Sequence, residues 1–448
     1  MPLPPTNDTI AAIATGPAAG AVGIVRVSGQ DAFGLAERVV KTRGGAPWHP
    51  PRQARSMTVG RMVSASGDTI DDAVVLAFRG PQSYTGEDVV EFQVHGGPAV
   101  LRSVMEHLMA SGARQAEAGE FTLRAVLNEK MDLMQAEGVL AMVEAKTERA
   151  RRQATFGLTK ALGRRIDEVY SLLMSAYGDV TAVLDYPEEG VELNDVRPRL
   201  REAEDQLRQL AATAHASRIT QQGAKLAIIG RPNVGKSSLL NALLGYERSI
   251  VSGTAGTTRD YLEGQLEIRG IPITVIDTAG IRDTDDPIEA EGVAQARDLA
   301  NHADLVLFLS DQPGDLSDFE RETLDGLGDT NLIRVQTKSD LTPESVETTS
   351  GWLPTSALDG RGLTELKDSV RDRLLGSADA EELWVGSERH VERIGVALEH
   401  LERCDGASED LMALELQDAL EAMGALLGKS EVSEETLSYV FANFCVGK

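Results

Sequence analysis

The residues Gly230-Arg231-Pro232-Asn233-Val234-Gly235-Lys236-Ser237 have the spacing G-x-x-x-x-G-K-S and follow an apolar run, Leu226-Ala227-Ile228-Ile229. A run of this kind makes a phosphate loop when it joins a strand to a helix. The glycines let backbone N–H groups turn toward a polyphosphate, Lys236 brings positive charge to the β and γ phosphates, and the Ser237 hydroxyl is a ligand for Mg²⁺. Asn233, Val234, Gly235, Lys236, Ser237 and Ser238 are therefore the expected phosphate contacts. Two elements must hold them: a strand over 226–229 and a helix from Ser237 to Leu244, whose positive dipole end faces the same anion.

A nucleotide domain should carry further contacts in a set order. The chain has Gly256-Thr257-Thr258-Arg259-Asp260, Asp277-Thr278-Ala279-Gly280, Thr337-Lys338-Ser339-Asp340 and Ser356-Ala357. This series resembles the translation-factor class of GTPases. The resemblance implies that Thr258 reaches Mg²⁺ and the γ phosphate, that Asp277 supports the Mg²⁺ from behind its ligands, and that the Gly280 N–H senses the γ phosphate. Asp340 accepts two hydrogen bonds from guanine N1 and N2, a pattern adenine lacks, so GTP is expected over ATP. Lys338, Ser356 and Ala357 complete the base side. The usual motif is Asn-Lys-x-Asp; Thr337 stands where the Asn would be, and a hydroxyl cannot donate as an amide does, which predicts weaker base affinity.

Many small GTPases place a glutamine directly after the D-x-x-G glycine to orient the attacking water. Here that position is Ile281, which cannot hold a water. The small polar segment Ser252-Gly253-Thr254-Ala255-Gly256-Thr257-Thr258 can fold back so that its carbonyls and the Asn233 side-chain oxygen surround a monovalent cation. A cation there neutralises developing charge, the task of an arginine finger elsewhere. Glu289 is an acid in the second switch region and is a candidate to orient the water through a second water. Pro287-Ile288-Glu289 also reads as ordinary first-turn helix chemistry.

At 448 residues the chain corresponds to about three domains of roughly 150 residues. Hydrophobic residues make up 42%, enough for real cores. No charged-then-apolar leader is present at Met1-Pro2-Leu3-Pro4-Pro5, and the longest purely apolar run, Leu305 to Leu309, is far short of a membrane span. Two cysteines, Cys404 and Cys445, argue for a reducing compartment, so a cytoplasmic protein with no membrane association is expected. The net charge of −26, from 44 Lys and Arg against 70 Asp and Glu, opposes indiscriminate nucleic-acid binding. Any RNA must be met locally or through a partner. The densest basic stretch, Arg149-Ala150-Arg151-Arg152 with Lys160, Arg164 and Arg165, reads as a solvated helix face.

Residues 1–118 read as a mixed domain with short strands at Val22–Val27 and Asp72–Phe78 and a proline-started helix from Ala99 to Ser111. Long helical periodicity then runs from Glu120 to about Ala216, with a break near Tyr186-Pro187. Residues 223–375 alternate strand and helix, and helices return at Arg389–Leu401 and Leu411–Leu427. The expected division is 1–118, a first helical part 119–222, a nucleotide domain 223–375, and a second helical part 376–448. The nucleotide domain is then an insertion in one discontinuous helical domain.

Signatures along the whole chain resemble the MnmE (TrmE) family of tRNA-modification GTPases. They include Asp8-Thr9-Ile10-Ala11-Ala12-Ile13-Ala14-Thr15, Gly23 to Gly29, Thr85-Gly86-Glu87-Asp88, His95-Gly96-Gly97-Pro98, Gly119-Glu120-Phe121-Thr122-Leu123-Arg124-Ala125, Asn128-Glu129-Lys130 and the terminal Cys445-Val446-Gly447-Lys448. One loop departs from the family, reading Gly16-Pro17-Ala18-Ala19-Gly20-Ala21 where a Pro-Pro-Gly-x-Gly-Gly run is common. The resemblance implies a multidomain α+β and α/β fold: an N-terminal α/β folate-binding and dimerisation domain, the discontinuous helical domain, and the inserted P-loop α/β GTPase domain. It places contacts to a methylene- or formyl-tetrahydrofolate at Arg26, Glu91, Lys130 and Lys448, and a role in the modification chemistry at Cys445. It implies an FAD-dependent MnmG-type partner and transfer of an aminomethyl or carboxymethylaminomethyl group to C5 of the wobble uridine in certain tRNAs. It also implies GTP hydrolysis stimulated by K⁺ held at Asn233, Ser252, Thr254 and Thr257, and activated when G domains of a homodimer meet. A GTPase of ribosome assembly and a non-catalytic GTP-switch scaffold are the alternative classes.

Overall fold

A computed structural model describes residues 4–16, 18–50, 53, 55–186, 195–246, 264–276, 296–327, 331–341, 349–376, 385–429, 434–441, 444 and 446–447. These fall into two compact units, one built from Met1–Leu140 with Gly424–Lys448, the other from Ala141–Met423. The fold is mixed, with two sheets and extensive helix. Among the described residues no helix is long and apolar enough to cross a membrane.

The first unit begins with β1 (Ile10–Ile13), β2 (Val22–Ser28), α1 (Ala32–Val39), β3 (Val40–Thr42), β4 (Arg55–Val63), β5 (Thr69–Phe78), β6 (Val89–His95), α2 (Pro98–Ala110), β7 (Arg114–Gln115), α3 (Glu120–Leu127) and the start of α4 (Leu133–Glu144). Its strands form one sheet in the order β3-β4-β5-β6-β2-β1-β7. Alternation explains its two faces. Val25, Val27, Val90, Phe92 and Val94 point to one side and make a core with α1 and α2 through Leu35, Leu101, Val104 and Leu108. The residues between them, Arg26 on β2 and Glu91 on β6, are direct cross-strand partners on the other side. At the β1 edge that second side is covered by α3, with Ile10, Ala12, Ala116 and Phe121 buried together. The C-terminal helix Glu434–Phe441 completes the unit, its Leu437, Val440 and Phe441 packing with Phe444 against Leu123, Leu133 and Ala136.

Charge is buried beneath α3. Arg124 is 1% exposed and donates to Asp8, Glu87 and Glu120, the last fully buried at its side chain. Arg114 reaches the same Glu120 at 2.6 Å and Asp8 at 2.7 Å. Burial raises the Asp8 carboxyl, but hydrogen bonds and charge from Arg114 and Arg124 outweigh it and hold Asp8 below its ordinary value.

The second unit carries α5 (Glu148–Leu158), α6 (Ala161–Asp185) and α7 (Arg197–Gln222), then β8 (Ala224–Gly230), α8 (Lys236–Tyr246), β9 (Gly264–Ile268), β10 (Ile271–Ile276), β11 (Leu305–Ser310), α9 (Asp318–Leu327), β12 (Leu332–Gln336), β13 (Leu353–Pro354), α10 (Leu363–Leu375), α11 (Glu388–Arg403) and most of α12 (Glu409–Leu427). Its sheet runs β13-β12-β11-β8-β10-β9, parallel except for β9. The helix α7 passes into β8 through Gly223, whose φ of 88° and close approach to the Pro272 carbonyl exclude a side chain. Ala216 and Ile219 near the end of α7 share one core with Leu226, Ile228 and Ile273, so helix and sheet pack as a continuous body here. The long periodic stretch after Glu120 resolves into five helices, α3 to α7, because the breaks at 128–132, 145–147 and 159–160 lie outside helical conformation.

Candidate nucleotide and ligand sites

Parallel register explains why motifs a hundred residues apart meet. Gly230 at the end of β8 pairs with Leu309 on β11, and Ser310 pairs with Gln336 on β12, so all three strands release their chains at one edge of the sheet. Ligands bind at that edge in open α/β sheets. A Cβ at Gly230 would stand 2.6 Å from the Leu309 carbonyl oxygen, which is why the loop must begin with glycine. Asn233 at φ 60° and Gly235 at φ 109° then turn the loop so that its N–H groups converge ahead of α8. Lys236 opens α8, and its Nζ donates to the carbonyls of Gly230 and Arg231, each at 2.9 Å, spanning the mouth of the loop. Ser237 and Ser238 follow on the exposed first turn.

The base loop leaves β12 beside it. The buried Thr337 does donate, but within the protein: its hydroxyl bonds to the Val234 carbonyl at 2.7 Å and ties the base loop to the phosphate loop. Lys338 takes a left-handed φ of 55° and Asp340 lies in the short 3-10 turn Ser339–Leu341. Ser356 is fully buried, its Oγ accepting from the Leu358 N–H at 3.2 Å, which sets the loop carrying Ala357. Thr337→Val should leave the Val234 carbonyl unpartnered, lowering stability by about 1–2 kcal/mol and raising the Kd for GDP. An unchanged Kd in a nucleotide titration would show the tie to be inert.

Three residues join this site that the motifs alone do not mark. Asp311, just past β11, pairs with Arg231 of the phosphate loop at 2.8 Å and with Lys338 at 3.0 Å. Burial raises the Asp311 carboxyl, yet Lys338 and then Arg231 pull it below its usual range, so it stays ionised. Arg231 also meets the buried Glu320 at 3.1 Å. Glu320 in turn accepts from the Ser317 N–H at 2.8 Å, and Ser317 from the Glu320 N–H, a capping box at the start of α9. The readable signals were Ser317-x-x-Glu320 and an acid directly after the most apolar strand. Ser252 through Thr258, Asp277 through Ile281, Glu289, Cys445 and Lys448 lie outside the described residues.

In the first unit, Arg26 Nε donates to Glu91 Oε1 at 2.8 Å, both side chains mostly buried. The Arg26 guanidinium lies 5.3 Å from the centroid of the Tyr84 ring and 5.6 Å from that of Phe121. Lys130 runs its stem past Gly86, two residues beyond Tyr84, where φ is 81° and a Cβ would crowd Asn128 and Lys130. The sequence reading missed both aromatic rings: Phe121 reaches Arg26 because α3 folds over β1, and Tyr84, on the connection between β5 and β6, is held beside it by a hydrogen bond with the Thr122 hydroxyl at 2.9 Å. The chain's tail arrives at the same unit: Val446 bridges Ala118, and Gly447 abuts the Ile13 carbonyl.

A mononucleotide sheet of this order, with a Gly-rich loop and a Lys-Ser-Asp base loop at one strand edge, defines a P-loop GTPase. Residues 9–130 match the family described as the GTP-binding protein TrmE N-terminus, and residues 133–445 match the MnmE helical domain. The tRNA modification GTPase MnmE of Thermus thermophilus is 50% identical over 449 residues, covering 99% of each chain. Proteins of the same name from Roseiflexus sp. and Symbiobacterium thermophilum are 40% and 39% identical, each over 99% of this chain. The chain belongs to the MnmE family of tRNA modification GTPases.

Proposed function

We propose that the chain is the GTP-hydrolysing member of a pair that modifies tRNA. With an FAD-dependent MnmG-type partner in the cytoplasm, it adds an aminomethyl or carboxymethylaminomethyl group to C5 of the wobble uridine. The observation that carries this reading is that both units, and not the GTPase portion alone, match relatives bearing the name over 99% of the chain. A tetrahydrofolate derivative supplies the one-carbon unit and is held in the first unit, where Arg26 and Lys130 attract its carboxylates and Glu91 accepts from its pterin N–H groups. The Tyr84 and Phe121 rings beside Arg26 suit a flat heterocycle. Lys448 joins these folate contacts, and Cys445 serves the modification chemistry.

Mg²⁺ is held by Ser237 and Thr258, and K⁺ by Asn233, Ser252, Thr254 and Thr257. Asn233 supports this, being exposed and turned out of the loop by its left-handed backbone. Glu289 orients the water. The GTPase segment is inserted between two parts of one helical domain, so nucleotide state acts on the helices directly. A homodimer forms through the first unit. Its sheet face opposite α1 and α2 leaves Met57 69%, Val59 46% and Val22 56% exposed, with Leu76, Val74 and Ile24 between them in register. Such a face asks for a cover.

Mass analysis of tRNA from cells lacking the chain should show the wobble uridine without its C5 substituent; full modification there would sink the reading. Turnover of GTP should be several-fold faster in K⁺ than in Na⁺, and indifference to the cation would remove the K⁺ site.

A further inference from the structure

Residues 146–165 hold seven Lys and Arg and a single acid, Glu148, in a chain that otherwise carries a large excess of acids. Five of these cations, Lys146, Arg151, Arg152, Lys160 and Arg164, are exposed, whereas Arg149 lies against Gly270 and Arg165 is half-buried. Helix α5 buries Ala150, Gln153, Ala154 and Gly157, spaced i, i+3, i+4, i+7. That face packs on α7, where Gln153 Nε2 donates to Ser217 Oγ and Gln221 Nε2 to the Ala150 carbonyl, both at 2.9 Å. A helix fixed this way must turn Arg151 and Arg152 outward, and their side chains are 50% and 62% exposed. Lys160, left-handed at φ 60°, then swings the chain into α6, whose buried Leu162, Ile166 and Val169 leave Arg164 on the outside.

Arg151 and Arg152 share the one carboxylate of Glu148, itself 57% exposed. Ion pairs in that much solvent are worth little, so the guanidinium groups turn to a stronger acceptor at small cost. Guanidinium forks match phosphate oxygens bidentately. Helix α5 is about 16 Å long at 1.5 Å per residue, a reach of several consecutive backbone phosphates. The acidic remainder repels a polyanion from other approaches, so a local basic strip sets where it lands and in what orientation.

We propose that α5 and the first turn of α6 form a surface for the phosphate backbone of tRNA. The proposal rests on the tRNA-modification reading and adds a location to it. Two double variants of the full chain test it, Arg151→Glu with Arg152→Glu and Lys160→Glu with Arg164→Glu, compared by fluorescence anisotropy with unfractionated tRNA over a salt series. Binding should weaken at least tenfold, and the slope of log K against log salt should shrink by about one for each phosphate that is no longer neutralised, with GTP turnover unchanged. The milder Arg151→Gln with Arg152→Gln should move both readouts the same way by less. Wild-type affinity and slope in all variants overturn the proposal. So does intact tRNA binding with lost association to an acidic partner protein, which assigns the strip to that partner. If the variants bind tRNA normally while cells lacking the chain lose the wobble modification, the surface is wrong and the functional reading stands.

Discussion

Lys236→Ala should reduce GTP turnover by about 10²–10³-fold, equivalent to roughly 3–4 kcal/mol of transition-state stabilisation. The side chain already spans the loop between the Gly230 and Arg231 carbonyls, so its ammonium stands where the terminal phosphates must come. Charge on those phosphates grows and shifts as the β–γ bond breaks, and a fixed cation lowers the barrier without reorganising. GTP binding should suffer more than GDP binding, because the γ phosphate depends on this cation most. The fold should survive, since the lost bonds go to carbonyls at the partly exposed mouth of the loop. Steady-state turnover with Kd values for both nucleotides checks this; a change below about threefold would remove Lys236 from the phosphate site.

Replacing Arg124 should cost the first unit about 3–5 kcal/mol, the range for breaking a buried ion pair from one side. Arg124→Met keeps volume but leaves Glu120 inside the protein with Arg114 as its remaining cation, and leaves Asp8 and Glu87 short of a partner. Arg124→Lys should recover part of the loss, since one ammonium cannot serve three carboxylates through a planar fork. The pH dependence has a definite sign. Asp8 is held below its ordinary value in the folded state, so its contribution is full above about pH 4 and is lost as pH falls through the lowered folded value. The wild type should therefore weaken in acid, and Arg124→Met should show less of that decline. Denaturant melts between about pH 3 and 7, on either side of carboxylate titration, measure both effects. A loss under about 1 kcal/mol for Arg124→Met would contradict the burial argument.

The phosphate loop was legible because everything that makes it is local: the apolar run became β8, and Ser237–Leu244 fell within α8. The strands at Val22–Val27 and Asp72–Phe78 and the helix after Pro98 were legible for the same reason. What pairs with what was not. Arg26 and Glu91 are cross-strand neighbours because β2 lies against β6, a pairing that no local periodicity records. Glu120 and Arg124 look like an exposed i, i+4 ion pair in sequence; they are buried because Asp8 and Glu87 arrive from far along the chain. Asp311 likewise gains its meaning only when parallel register brings β8, β11 and β12 to one edge. Thr337 was legible as a departure from Asn, while its bond to Val234 required the three-dimensional neighbour.

The packing of Leu437, Val440 and Phe441 on Leu123, Leu133 and Ala136 has a consequence for synthesis. These partners stand roughly 300 residues apart, which a ribosome covers in about 15–60 s. The first unit emerges first and is finished last. Throughout that interval the apolar side of α3 and α4 has no Leu437 or Phe441 to lie against, whereas the described strands of the second unit, β8 to β13, have all been made once Pro354 is added, well before Leu437 exists. The order of birth and the order of completion are thus reversed within this one polypeptide.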